Sequence, residues 1–103
     1  MALNHTMHQR GRTLTVALSG DVVYTENPTF RRIVDEIVAT GTAAVDLDMS
    51  GLRSVDSAGL SMLVLLQDRI TGMGATLTLS KPSPQVARIL EVVAFDKLFT
   101  IVF

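Results

Sequence analysis

The chain contains no cysteine. Disulfide cross-links, thiolate nucleophiles and cysteine-ligated metal centres are thereby excluded, and the composition suits a reducing compartment. Long hydrophobic runs are missing too. The longest, Met62 to Leu66, falls far short of the roughly 20 apolar residues that a membrane-spanning helix needs. The first residues, which include Asn4, His5 and His8, hold no apolar stretch of the kind a secretory signal requires, so the expected location is the cytoplasm. Charge of one sign is also scarce. Nine Lys and Arg face ten Asp and Glu, a formal net charge of −1, so no basic excess recruits nucleic acid and no polybasic run recruits an anionic membrane.

Catalytic signatures are absent as well. No nucleophile–base pair, Walker motif or metal-ligand cluster is visible, which argues against a small hydrolase or a nucleotide-binding enzyme. His5 and His8 are three apart, so on a strand they point to opposite faces and share no metal. Gly72 and Gly74 lack the lysine–serine ending and the spacing of a phosphate loop, and read instead as a helix stop. No catalytic residue, metal or cofactor is expected.

What is present is apolar and patterned. The 103 residues are 48% hydrophobic and 18% charged, enough to build one core, and no repeat, linker or low-complexity stretch divides them. A single domain over residues 1–103 is expected. Leu3 to Gln9 is a first strand, Arg10-Gly11-Arg12 a turn, and Thr13 to Ser19 a second strand with Leu14, Val16 and Leu18 on one face. Gly20 is expected to close that strand, and a loop to run to Asn27. Asn27 reads as a helix N-cap with Pro28 at the first helical position, followed by Phe30, Ile33, Val34, Ile37 and Val38 at helical spacing and a stop at Gly41. Ala43 to Met49 alternates as a strand, Ser50 to Asp56 reads as a loop, and Ser57 to Gly72 as a second helix. A strand over Ala75 to Ser80 follows. Ser83-Pro84 opens a third amphipathic helix carrying Val86, Ile89, Leu90 and Val93, and Thr100 to Phe103 forms a last short strand. The order β-β-α-β-α-β-α-β implies an α/β fold. Its single mixed sheet has four to five strands, opens with an antiparallel hairpin, and carries about three helices.

One segment stands apart, Asp48-Met49-Ser50-Gly51-Leu52-Arg53-Ser54-Val55-Asp56-Ser57-Ala58-Gly59-Leu60. It joins a parallel strand to a helix at the carboxyl edge of the sheet, where α/β folds place function. Asp56 or Ser57 can cap the helix, and either way the Ser57 hydroxyl lies at the positive end of the helix dipole, where a phosphate is tolerated. Met62, Leu63, Leu66 and Ile70 cluster on the face expected to meet the sheet. Ser57, Ser61, Asp68 and Gly72 cluster opposite, with Val64 and Leu65 beside them as an outward docking patch. Asp56 reads as a cap that helps present Ser57, and Asp46 and Asp48 as a solvated strand face.

Asp56-Ser57-Ala58-Gly59-Leu60, approached through Asp48-Met49-Ser50-Gly51-Leu52, resembles the signature of STAS domains, and is most similar to that of bacterial anti-sigma-factor antagonists. Gly72-Met73-Gly74-Ala75 is similar to the family's ending of that helix, and Phe95-Asp96-Lys97-Leu98-Phe99 to the run before its last strand. The likeness extends from the strand ending in Gly20 to Phe103. Two features depart from it. Gly20-Asp21-Val22-Val23 stands where such proteins often have Gly-Glu-Leu-Asp, so Val23 replaces an acid. The chain also ends soon after its last strand, where many relatives carry a further helix.

The resemblance implies a STAS fold and a partner-switching mechanism. The unphosphorylated antagonist would bind an ATP-dependent anti-sigma serine kinase and free the sigma factor. Phosphorylation of Ser57 would end that binding, and a metal-dependent serine phosphatase would restore it. The expected partner face comprises Asp21, Ser54, Asp56, Ser57, Ala58, Gly59, Ser61, Val64, Leu65 and Asp68. A homodimer is compatible with the same apolar residues. The competing reading is a STAS scaffold or partner subunit of another assembly, stressosome-like or attached to a lipid-transport ATPase, whose binding ignores Ser57 phosphorylation.

Overall fold

The computed structural model describes residues 1–103. Strands β1 (Asn4–Arg10) and β2 (Thr13–Val22) form a hairpin, and a 3-10 turn over Tyr24–Glu26 leads into α1 (Asn27–Ala39). Then come β3 (Ala44–Val55), α2 (Ser57–Gly72), β4 (Thr76–Ser80), α3 (Pro84–Val92), a 3-10 turn over Phe95–Lys97, and β5 (Thr100–Val102). The five strands make one sheet in the order β1-β2-β3-β4-β5; β1 and β2 are antiparallel and the remaining neighbours parallel. No helix is long and apolar enough to cross a membrane.

Alternation along the strands fixes which face is buried. Leu14, Val16 and Leu18 on β2, Val45, Leu47 and Met49 on β3, and Leu77 and Leu79 on β4 all enter one core. They meet Phe30, Ile33, Val34 and Ile37 of α1 and Met62, Leu63, Leu66 and Ile70 of α2, as helical spacing leads one to expect, while Val38, expected with the α1 set, is half-buried at the edge of the core. Val86 and Leu90 of α3, together with the stacked rings of Phe95 and Phe99, extend the core toward β3 and β5.

Both long helices stop as the glycines foretold. Gly41 follows α1 with φ +64, and its N–H reaches the Val38 carbonyl. After α2, Gly74 takes φ +79; its N–H bonds the Thr71 carbonyl while the Ala75 N–H bonds that of Ile70, the double closure of a Schellman motif.

Four expectations are corrected. Residues 50–55 are not a loop, and Gly20 does not end β2. Both strands continue side by side to Val22 and Val55, because Leu52 and Val55 have apolar side chains to bury and β2 offers its edge. The register slips between Ala17 and Ser19 and again between Gly20 and Asp21. Gly51 sits at the first slip, where a Cβ would lie 2.8 Å from the Leu18 carbonyl oxygen. Asn27 is not the cap of α1 but its first residue. Glu26 holds the cap position without capping, since its carboxylate is taken by the Leu3 N–H at 2.8 Å, while Asn27 Oδ1 accepts from Arg31 Nε at 3.0 Å. Ser83 does precede α3, yet its hydroxyl ties the helix start to β3 by donating to the Leu52 carbonyl at 2.7 Å instead of capping.

Candidate functional site

The site is built around the start of α2, and Asp56 organises it. Its backbone is extended, so its side chain folds back over the first turn, and Oδ1 accepts the Gly59 N–H at 2.7 Å. The other carboxylate oxygen accepts the Tyr24 N–H at 3.1 Å, from the turn that follows β2. One carboxylate thus caps a helix and fastens a distant turn to it. The Gly59 amide, then that of Tyr24, holds the Asp56 carboxyl below the usual carboxylate range.

Gly59 explains why the helix can sit so close. A Cβ there would lie 1.9 Å from the Val22 carbonyl oxygen and 3.0 Å from Val55 Cγ1. Only a glycine lets the first turn of α2 press against the ends of β2 and β3. The Asp56 N–H adds a bond to the same Val22 carbonyl at 3.3 Å.

Asp56 being the cap, Ser57 is the first residue of α2, and its hydroxyl is exposed and unengaged within the chain. Ser61 donates to the Ser57 carbonyl at 3.3 Å. Ser61, Val64 and Asp68 follow Ser57 along the exposed side of the helix, and Ala58 is half-buried at its start.

Leu65 departs from the outward patch expected of it. It is half-buried and lines a groove of about 160 Å³ between the two long helices with Arg31, Val34, Asp35 and Arg69. Helical spacing puts Leu65 beside Val64, but α1 lies across that side of α2 and covers it. Asp46 is likewise only half-exposed, and it accepts a hydrogen bond from the buried Ser80 hydroxyl.

Asp21 and Ser54 come together one strand away. Asp21 is buried, and its carboxylate accepts the Ser54 hydroxyl at 2.9 Å, with Arg53 Nε at 3.4 Å and the Met1 amino group as further partners. The bond to that amine, then the Ser54 hydroxyl, lowers the Asp21 pKa against the opposing effect of burial. At Asp48, burial pushes upward but is outweighed by the Ser50 N–H at 2.9 Å, the Ser50 hydroxyl and nearby Lys81, so the pKa is lowered.

The geometry brings Asp56, Ser57, Ala58, Gly59, Ser61 and Val64 onto one helix start. Asp68 lies further along it, and Asp21 and Ser54 are in the adjacent strands. Sequence reasoning missed Tyr24. That residue is 74% exposed on the turn that Asp56 pins, and it is the one tyrosine of the chain.

A family model described as "Mlab, STAS domain" matches residues 5–102. The chain belongs to the STAS family. A STAS-domain containing protein of Pseudomonas aeruginosa (strain UCBPP-PA14) is 31% identical over 101 residues, covering 98% of this chain and 99% of that protein. Among solved structures, an anti-sigma factor antagonist from Mycobacterium paratuberculosis superposes with a TM-score of 0.85 at 18% identity, over 98% of this chain and 86% of that one. The Bacillus cell fate determinant SpoIIAA in its phosphorylated form gives 0.69 at 14% identity, over 97% and 92%. At such identities these two likenesses establish the fold: a mixed five-stranded STAS sheet with three helices, as the sequence pattern led one to expect.

Proposed function

We propose that this STAS domain is an anti-sigma-factor antagonist, a binding module rather than an enzyme, with Ser57 as its phosphorylation switch. Unphosphorylated, it binds an anti-sigma serine kinase that uses ATP and so frees the sigma factor; phosphorylated, it lets go until a metal-dependent serine phosphatase resets it. The observation that carries the reading is the division of labour at the start of α2. Asp56 does the capping, which leaves the Ser57 hydroxyl exposed and free of structural duty. A group transferred to that oxygen disturbs no bond of the fold.

Added charge supplies the switch. A phosphate brings about −1.5 to −2 charges at pH 7. It would stand next to the Asp56 carboxylate, with Val64 two turns along the same exposed side. The helix dipole eases the phosphate in the free protein, but a docked partner would have to desolvate both anions. A loss of roughly 3 kcal/mol already weakens binding more than a hundredfold. Asp21 and Ser54, Ala58, Gly59, Ser61, Val64, Leu65 and Asp68 belong to this partner face in the same reading, with Leu65 reaching it only along its uncovered side.

The test is incubation with ATP and the anti-sigma kinase of the same organism, followed by mass spectrometry. One phosphate on Ser57 is expected; phosphate elsewhere, or none, refutes the assignment. Ser57→Asp should keep its circular dichroism and lose kinase binding by more than about a hundredfold. In a second reading the domain is a fixed subunit of another assembly. Partner binding that ignores Ser57→Asp would decide for it.

A further inference from the structure

The two edges of the sheet are unlike. β5 spans three residues, whereas β1 spans seven, and no element lies along its outer side. Long unpaired edges are ordinarily blunted by proline, lysine, inward charges or bulges. β1, Asn-His-Thr-Met-His-Gln-Arg, has none of these. Its register with β2 runs unbroken from Asn4↔Ser19 to Arg10↔Thr13, and its one formally charged side chain, Arg10, is at the end.

The hairpin turn fixes which backbone groups face outward. Gly11 has φ +58 and Arg12 has a negative φ, the pattern of a type II′ turn, so Arg10 and Thr13 exchange the closing pair of hydrogen bonds. Antiparallel ladders alternate, so His8, Thr6 and Asn4 also bond inward to β2. The N–H and C=O groups of His5, Met7 and Gln9 therefore point away from the sheet with nothing to meet.

We propose that a second copy of this chain pairs with this edge, β1 against β1 about a two-fold axis at Met7. The partner is read from self-complementarity. A two-fold at Met7 is the centre that overlaps all seven residues and also places outward-bonding residues opposite each other: Met7 with Met7, and His5 with Gln9. It forms about six inter-chain backbone hydrogen bonds. Across the join, Arg10 faces Asn4 and Thr6 faces His8, so no like formal charges are opposed, and a net charge of −1 per chain adds little repulsion. On the helix side Met7 is half-buried against the edge of the core, so two Met7 side chains would continue the apolar layer from one copy into the next. The result is a ten-stranded sheet with β1 at its middle. The start of α2 lies over the ends of β2 and β3, away from the join, so both Ser57 hydroxyls stay accessible.

Sedimentation velocity of the full chain from about 1 to 500 μM tests this, with circular dichroism as the check on folding. The wild type should pass from monomer to dimer over that range. Met7→Lys, which opposes two ammonium groups at the axis, should weaken dimerisation at least tenfold. Met7→Pro removes an outward N–H, spares the ladder to β2, and should do the same. Amide exchange at high concentration should protect His5, Met7 and Gln9 selectively, and lose that protection on dilution. A wild type that stays monomeric up to 500 μM overturns the proposal. So does a dimer that survives in whichever Met7 variants fold, or one whose new protection falls elsewhere.

Discussion

Replacing Gly59 by alanine tests how tightly α2 is seated on the sheet. The new Cβ would lie 1.9 Å from the Val22 carbonyl oxygen and 2.8 Å from its carbon. Ordinary contact begins near 3.4 Å, so helix and strand must part by about 1.5 Å at that point. The obstacle is backbone, and no side-chain rotation relieves it. The parting also pulls the Gly59 N–H away from Asp56 and opens the packing of Val55. Overpacking of this kind costs about 1–3 kcal/mol. At the upper end the melting temperature of a domain of this size should fall by roughly 10–20 °C. Gly72→Ala is the internal control. Gly72 is the last residue of α2, and a Cβ there meets nothing within 4 Å, so helix propensity should stabilise the protein by about 0.5–1 kcal/mol. Urea denaturation of the three proteins gives the comparison. If Gly59→Ala lies within 0.5 kcal/mol of the wild type, or the two variants shift in the same direction, the seating argument is refuted.

Because Asp56 is the cap, Ser57→Ala should change stability by no more than about 0.5 kcal/mol in urea melts, whereas Asp56→Ala should be clearly destabilising. Acid should expose the same carboxylate. The folded-state pKa of Asp56 is lowered, so its contribution is complete above the unfolded value of about 3.9 and fades as pH falls through the lower folded value. The urea midpoint should therefore drop below about pH 4, and Asp56→Asn should flatten that limb of the curve. Ser83→Ala removes the hydroxyl that ties α3 to the Leu52 carbonyl and should cost about 1 kcal/mol by calorimetry.

Much of the fold could be read from local pattern. The apolar periods of α1 and α2 named the residues that reach the core, and Gly41 and Gly74 marked where those helices end, because periodicity and left-handed backbone are properties of a few adjacent residues. Where local pattern fails, a distant element decides. Serine, glycine and arginine break the alternation over residues 50–55, but Val22 and its neighbours supply a partner strand from some thirty residues earlier. The spacing of α2 points Leu65 outward, but its own helix cannot say where α1 will lie.

The order of elements, the buried faces of the helices and the distinctive segment from Asp56 to Leu60 follow from local pattern alone. What each residue of that segment does depends on how the chain folds back on itself. Asp56 is the cap because the Gly59 and Tyr24 amides both converge on it, Gly59 is needed because the Val22 carbonyl is in its way, and Ser57 is left free as a consequence. The Tyr24 and Val22 contacts join residues more than thirty positions apart, and neither composition nor spacing carries them.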